Sequence, residues 1–320
     1  MISNAKAKLQ NVPTPMGGLA LGIASLGWCW ENYADLHGYG QWIGAGIASV
    51  LLIILAFKFL LHKQLLWKEL AHPVVGSVVP TFAMGVMVVS NTVGQFYPFA
   101  GDSIWLLAVA LHVIFLLSFI YHRLDDLHLH QMVPSWFVPP VGIIVAGVSY
   151  SGNPVLEPVA DGALYFGMTA YAVMLPIMIY RFMFSQQVPD SAKPTLAILA
   201  APASLSMAGY LTVISEPSPL LLSLMFGIAV LMTLIIYLSF FKLLRLPFSP
   251  GYAAFTFPVV IGSTALFKLS SWMEGMGLNS RYISQIEWLA TVELIVATVI
   301  VLYVSLRYMS FYRWQERNEA

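Results

Sequence analysis

The sequence predicts an all-α integral membrane protein of ten transmembrane helices, arranged as five helical hairpins around an axis. Three observations predict it. Of 320 residues, 59% are hydrophobic and 9% charged, against about 25% charged in an ordinary soluble domain, and mean hydropathy is +0.78. Ten apolar segments, each near the ~20 residues that a spanning helix needs, lie between turn signals. The odd-numbered segments open on prolines at nearly constant spacing: Pro13, Pro73, Pro134, Pro194 and Pro250 are 60, 61, 60 and 56 residues apart. Such self-similarity marks an internal repeat, here one helix pair per unit.

The spans cover residues 14–34, 41–61, 73–96, 103–121, 135–150, 159–181, 195–214, 219–241, 251–270 and 285–309. They pair as hairpins 13–61, 73–121, 134–181, 194–241 and 250–309 within a single transmembrane domain, 1–320. The fifth is interrupted by Pro139 and Pro140 and is Gly-rich beyond them. Lys and Arg collect in cytoplasmic connections. With both termini inside, thirteen of the fifteen basic residues fall there, Lys58 among them, and only Lys268 and Arg281 fall elsewhere. A count wrong by one helix would scramble that split.

Inside the odd spans a second proline follows the first by five to eight residues: Pro80, Pro139 or Pro140, Pro202 and Pro258. The first span carries Gly17, Gly18 and Gly22 instead. Proline within a helix frees a carbonyl one turn earlier, which is costly against hydrocarbon and tolerable only inside protein or beside a wet cavity. Odd helices are therefore expected inside and kinked. Even spans such as "SLMFGIAVLMTLIIYLSFF", from Ser223, are apolar nearly all round and suit a lipid-facing outer layer. Five inward helices predict a quasi-fivefold ring; the alternative is a solid bundle whose prolines serve packing alone.

The residues before the second prolines are Val79, Val138 (or Pro139 if Pro140 is counted), Ala201 and Phe257. If these face one axis, small side chains leave a narrow uncharged tube and Phe257 blocks it. Alternatively Phe257 packs between helices, as Phe255 and Phe267 are expected to do. All odd helices would start in the cytoplasm, so their positive dipole ends converge on the inner mouth and favour anions. No Arg or Lys follows along that lining until Lys268. Fully stripping an ion costs on the order of 20 kcal/mol, so selection would follow ease of dehydration.

Other candidates are fewer. Glu293, two turns into the tenth span, is either a proton relay or the partner of Lys268 at the outer mouth. His112, on an outer helix, reads as a packing residue. "HRLDDLHLH" places His122, Asp125, Asp126, His128 and His130 close in sequence, but at no defined metal spacing. It reads as a solvated connection. Cys29 is the single cysteine and reads as a small buried hydrophobe. The segment "MISNAKAKLQNVPTP" lacks a signal-peptide core and reads as a cytoplasmic lead-in. Zero net charge gives no argument for nucleic acid. There is no Gly-rich phosphate loop and no nucleophile and base pair, so no enzyme, cofactor or metal is expected.

Taken in order, "PTPMGGLALG" (13–22), "HPVVGSVVP" (72–80), "APASLSMAGYLTV" (201–213) and "YAAFTFP" (252–258) resemble the tellurite-resistance and dicarboxylate transporter family. That family includes TehA-type bacterial channels and the plant guard-cell slow anion channel. The resemblance implies a homotrimer in the bacterial inner membrane, each protomer having its own pore lined by the five odd helices and plugged by a phenylalanine of the ninth. Phe257 corresponds to that residue. At Pro15 the family often has glycine, which leaves the pore width there open. The implied function is a passive anion channel or channel-like uniporter for small inorganic or organic anions. The alternative is a proton-coupled carrier exporting dicarboxylate, sulfite or related oxyanions.

Overall fold

A computed structural model describes residues 8–124 and 127–319, with side chains up to residue 312. Among the described residues every regular element is helical. Eight helices are long and apolar enough to cross a membrane, and the chain is a multi-pass membrane protein. Two of the ten expected spans are not among these eight. The first, Met16–Tyr33, has 18 residues and ends in Trp-Glu-Asn-Tyr, which dilutes its apolar run. The fifth, Pro134–Val148, is shorter and alternates between 3-10 and α segments of three or four residues. Adjacent prolines remove two consecutive donors there, so no long α-helical ladder can form. A short helix that the sequence reading did not mark, Lys63–Ala71, joins the second and third spans.

The second prolines act differently from a mid-helix break. The seventh span runs as a 3-10 helix over Asp190–Ala200 and becomes α-helical over Ala201–Val213. The ninth does the same, with 3-10 over Pro250–Phe255 and α over Thr256–Gly275. In the third, Pro80 is the N-cap of Thr81–Gly94. Pro80, Pro202 and Pro258 therefore occupy the start or first turn of an α-helix, where a missing N–H costs little. The proline marks a change of helix type.

Burial separates the two classes of helix. The third, seventh and ninth spans are 67%, 72% and 83% buried, whereas the even spans are 28–39% buried. Each odd segment also touches two others in cyclic order. The first packs against the third and ninth, the ninth against the seventh, the seventh against the fifth, and the fifth against the third. Gly22 makes one of these contacts possible, because a Cβ there would collide with the Thr256 side chain and lie 3.1 Å from the Phe257 backbone nitrogen.

Candidate functional site: a cavity shared by five segments

Because the odd segments are rich in Gly, Ala, Val and Pro, they cannot fill the space between them. A cavity of about 390 Å³ remains, lined from every odd segment, by Gly18, Thr81, Val138, Ala201 and Phe257 among others. The opening prolines Pro13, Pro194 and Pro250 also line it, so it begins at the end where odd segments start. No segment contributes a lining residue beyond Leu21, Met84, Gly142, Leu205 or Pro258. The cavity thus occupies the proline half of the fold and stops at the level of Phe257.

Two phenylalanines line it, and they differ in support. Phe137 leans its ring edge-on against Tyr171 of the sixth helix, with centroids 5.8 Å apart. Phe257 is 7% exposed and makes no ring contact among the described residues. The other two phenylalanines of this helix region do pack aside. Phe255 is edge-on to Phe240 at 5.5 Å, and Phe267 meets Tyr33 at 6.3 Å. The backbone beneath Phe257 is held by Thr256, whose hydroxyl lies 2.7 Å from the Ala253 carbonyl and 3.1 Å from that of Gly18.

Of the expected lining residues, Gly18, Ala201, Pro202, Phe257 and Pro258 are on the cavity, as is Val138. Val79, Pro80 and Pro139 are not among its lining residues. In the third span the lining face runs through Val78, Thr81 and Met84, three residues apart, and this rotation leaves Val79 buried at 1% exposure. Pro139 turns toward the fourth span, where its carbonyl lies 2.8 Å from His112 Nε2. His112 is a packing residue here. No group of three metal-ligating side chains exists among the described residues; Asp125 and Asp126 lie outside them.

The expected Lys268–Glu293 pair does not form: no ion pair joins them, and Glu293 Oε2 has no hydrogen-bond partner. Glu293 is 3% exposed and lies against Gly262, where an added Cβ would strike its carboxylate. Nearby, Cys29 Sγ donates to Ser263 Oγ at 3.4 Å, and Ser263 donates to the Ala290 carbonyl at 2.8 Å.

Sequence reasoning missed the one charged residue on the cavity. Glu69, on the short helix Lys63–Ala71, lines it beside Thr14. Its Oε1 is 2.5 Å from Lys58 Nζ, and Thr14 donates to its Oε2 at 2.6 Å. Lys58 Nζ is also 2.8 Å from Thr14 Oγ1. Lys58 is only 2% exposed although it was counted as a cytoplasmic charge. The signal was its place inside the apolar run "AFKFLL", eleven residues before Glu69.

The voltage-dependent anion channel family matches residues 12–309 of the chain. Two uncharacterized transporters of Methanocaldococcus jannaschii are each 26% identical to it. One aligns over 284 residues, 75% of this chain and 81% of the relative; the other aligns over 256 residues, 68% and 73%.

Proposed function

The chain belongs to the voltage-dependent anion channel family, and on that premise we propose that it is a passive anion channel, or channel-like uniporter, closed by Phe257. One observation carries this reading: a single cavity, lined by all five odd segments, ends at an aromatic ring that no other ring holds in place. The cyclic contacts of those segments support five hairpins in one transmembrane domain, ringed around a passage. The distribution of Lys and Arg supports assigning the proline end and both termini to the cytoplasm. The resemblance drawn from the motifs supports a homotrimer in a bacterial inner membrane. Its even helices meet lipid and neighbouring protomers.

Segment N-termini converge on the mouth, and their positive ends favour anions. Further in, the lining is mainly apolar, so an ion that sheds water easily crosses at lower cost. Reversal potentials across bilayers containing the Phe257→Ala protein, in mixed gradients, should rank nitrate ahead of chloride and both far ahead of potassium. Cation permeation, or strict preference for chloride, contradicts the reading.

A buried carboxylate without a partner favours a second reading, a proton-coupled carrier of dicarboxylate, sulfite or a related oxyanion working through Glu293. Glu293→Gln separates the two. The channel reading expects unchanged anion flux in reconstituted vesicles with or without a pH gradient. The carrier reading expects pH-driven uptake in the wild type and its loss in the variant.

A further inference from the structure

We propose that the far half of the passage, beyond Phe257, holds a binding site for a small, partly hydrated monovalent anion, organised by Lys268. The inference rests on the channel reading proposed above, in which the passage continues past the cavity that ends at Phe257. The ninth span is the most buried of the long apolar helices, at 83%. Between Thr256 and Ser270 only Thr264 and Lys268 are partly exposed. They follow Phe257 by seven and eleven residues within one uninterrupted α-helix, Thr256–Gly275. At 100° per residue both point within about 20° of the Phe257 direction, about 10 and 16 Å further along. The accessible stripe therefore continues the line that Phe257 begins on the cavity.

Neighbouring inner helices extend their cavity faces to hydroxyls. Eleven residues beyond cavity-lining Thr81 and Ala201, inside continuous α-helices, stand Thr92 and Thr212. Seven beyond Gly18 stands Ser25. Lys268 has neither a hydrogen bond nor an ion pair among the described residues. A cation in the membrane is costly unless it is paired or faces water. An exchangeable anion held by the ammonium supplies the missing partner. The passage then offers positive potential on both sides of its block, from segment N-termini on one and Lys268 on the other.

The test uses the full chain in bilayers with Phe257→Ala as background. Adding Lys268→Gln should lower chloride conductance about tenfold at low ionic strength, the lower end of what charge focusing in a cleft produces, and the deficit should shrink in high salt. Lys268→Arg should retain the current. Equal currents in the Gln variant and its background overturn the site. Where the Gln variant fails to fold, Lys268→Cys treated with a positively charged, water-soluble thiol reagent should regain the current, and no gain overturns the site. Accessibility is read separately with the native Phe257. Lys268→Cys should react with that reagent from the outer face only, with wild-type Cys29 as the buried control; reaction solely with a lipid-soluble maleimide puts residue 268 against lipid and overturns the site. If the Phe257→Ala protein carries no current at all, the channel reading falls, and outer-face thiol reactivity alone decides the site.

Discussion

Phe257→Ala is expected to raise anion conductance at least tenfold, a change equivalent to about 1.4 kcal/mol off the barrier. The ring stands where the cavity ends, and shortening it to a methyl group would extend the cavity beyond that level. No other ring braces it, and it stands just past the change from 3-10 to α geometry, so the native side chain can swing aside when the protein opens. Phe255→Ala is the matched control. Phe255 is fully buried between Tyr252 and Phe240, so its loss should cost about 3–5 kcal/mol of stability and open nothing. Single-channel recording of both variants, alongside melting in detergent, checks the pair. Equal conductance of Phe257→Ala and wild type moves the obstruction elsewhere.

Glu69→Ala should be the most destabilising of the polar substitutions. It strands the Lys58 ammonium at 2% exposure, with Thr14 as its remaining hydrogen-bond partner among the described residues. Breaking a buried pair on one side costs about 3–5 kcal/mol. Because Glu69 itself is 17% exposed, the lower part of that range is expected. The double variant Lys58→Met with Glu69→Leu leaves no charge behind and should melt close to the wild type. Thermal unfolding of all three proteins in one detergent reads the effect. A single variant as stable as wild type would mean that Lys58 finds water once Glu69 is gone.

Much of this arrangement was legible in the sequence, and the parts that were not share a physical cause. Proline spacing along the chain located the odd segments, and residues of all five line one cavity, Phe257 among them. Spacing along a helix does not report rotation about its axis, which packing sets. That is why Val79 was chosen where Val78 and Thr81 line the cavity. It is also why Lys268 and Glu293 were paired although the carboxylate lies against Gly262 and no ion pair forms. Proline was read as a kink, whereas the segments before it had already adopted 3-10 geometry, which shifts the proline to the start of a helix. Lys58 and Glu69 were missed because their meeting depends on the short helix Lys63–Ala71 folding back under the second span. Hydropathy alone gives no sign of that.

The most direct measurement is thiol modification during current recording. In the Phe257→Ala background, cysteines would be placed singly at Val78, Val138, Ala201 and Ala254, one on each of four inner segments, and at Ile53 and Leu234 on outer helices. A water-soluble, negatively charged thiol reagent should block anion current at all four inner positions and at neither outer one. Current that persists after complete modification of the inner cysteines would mean that anions take another path, and the five-segment passage would have to be abandoned.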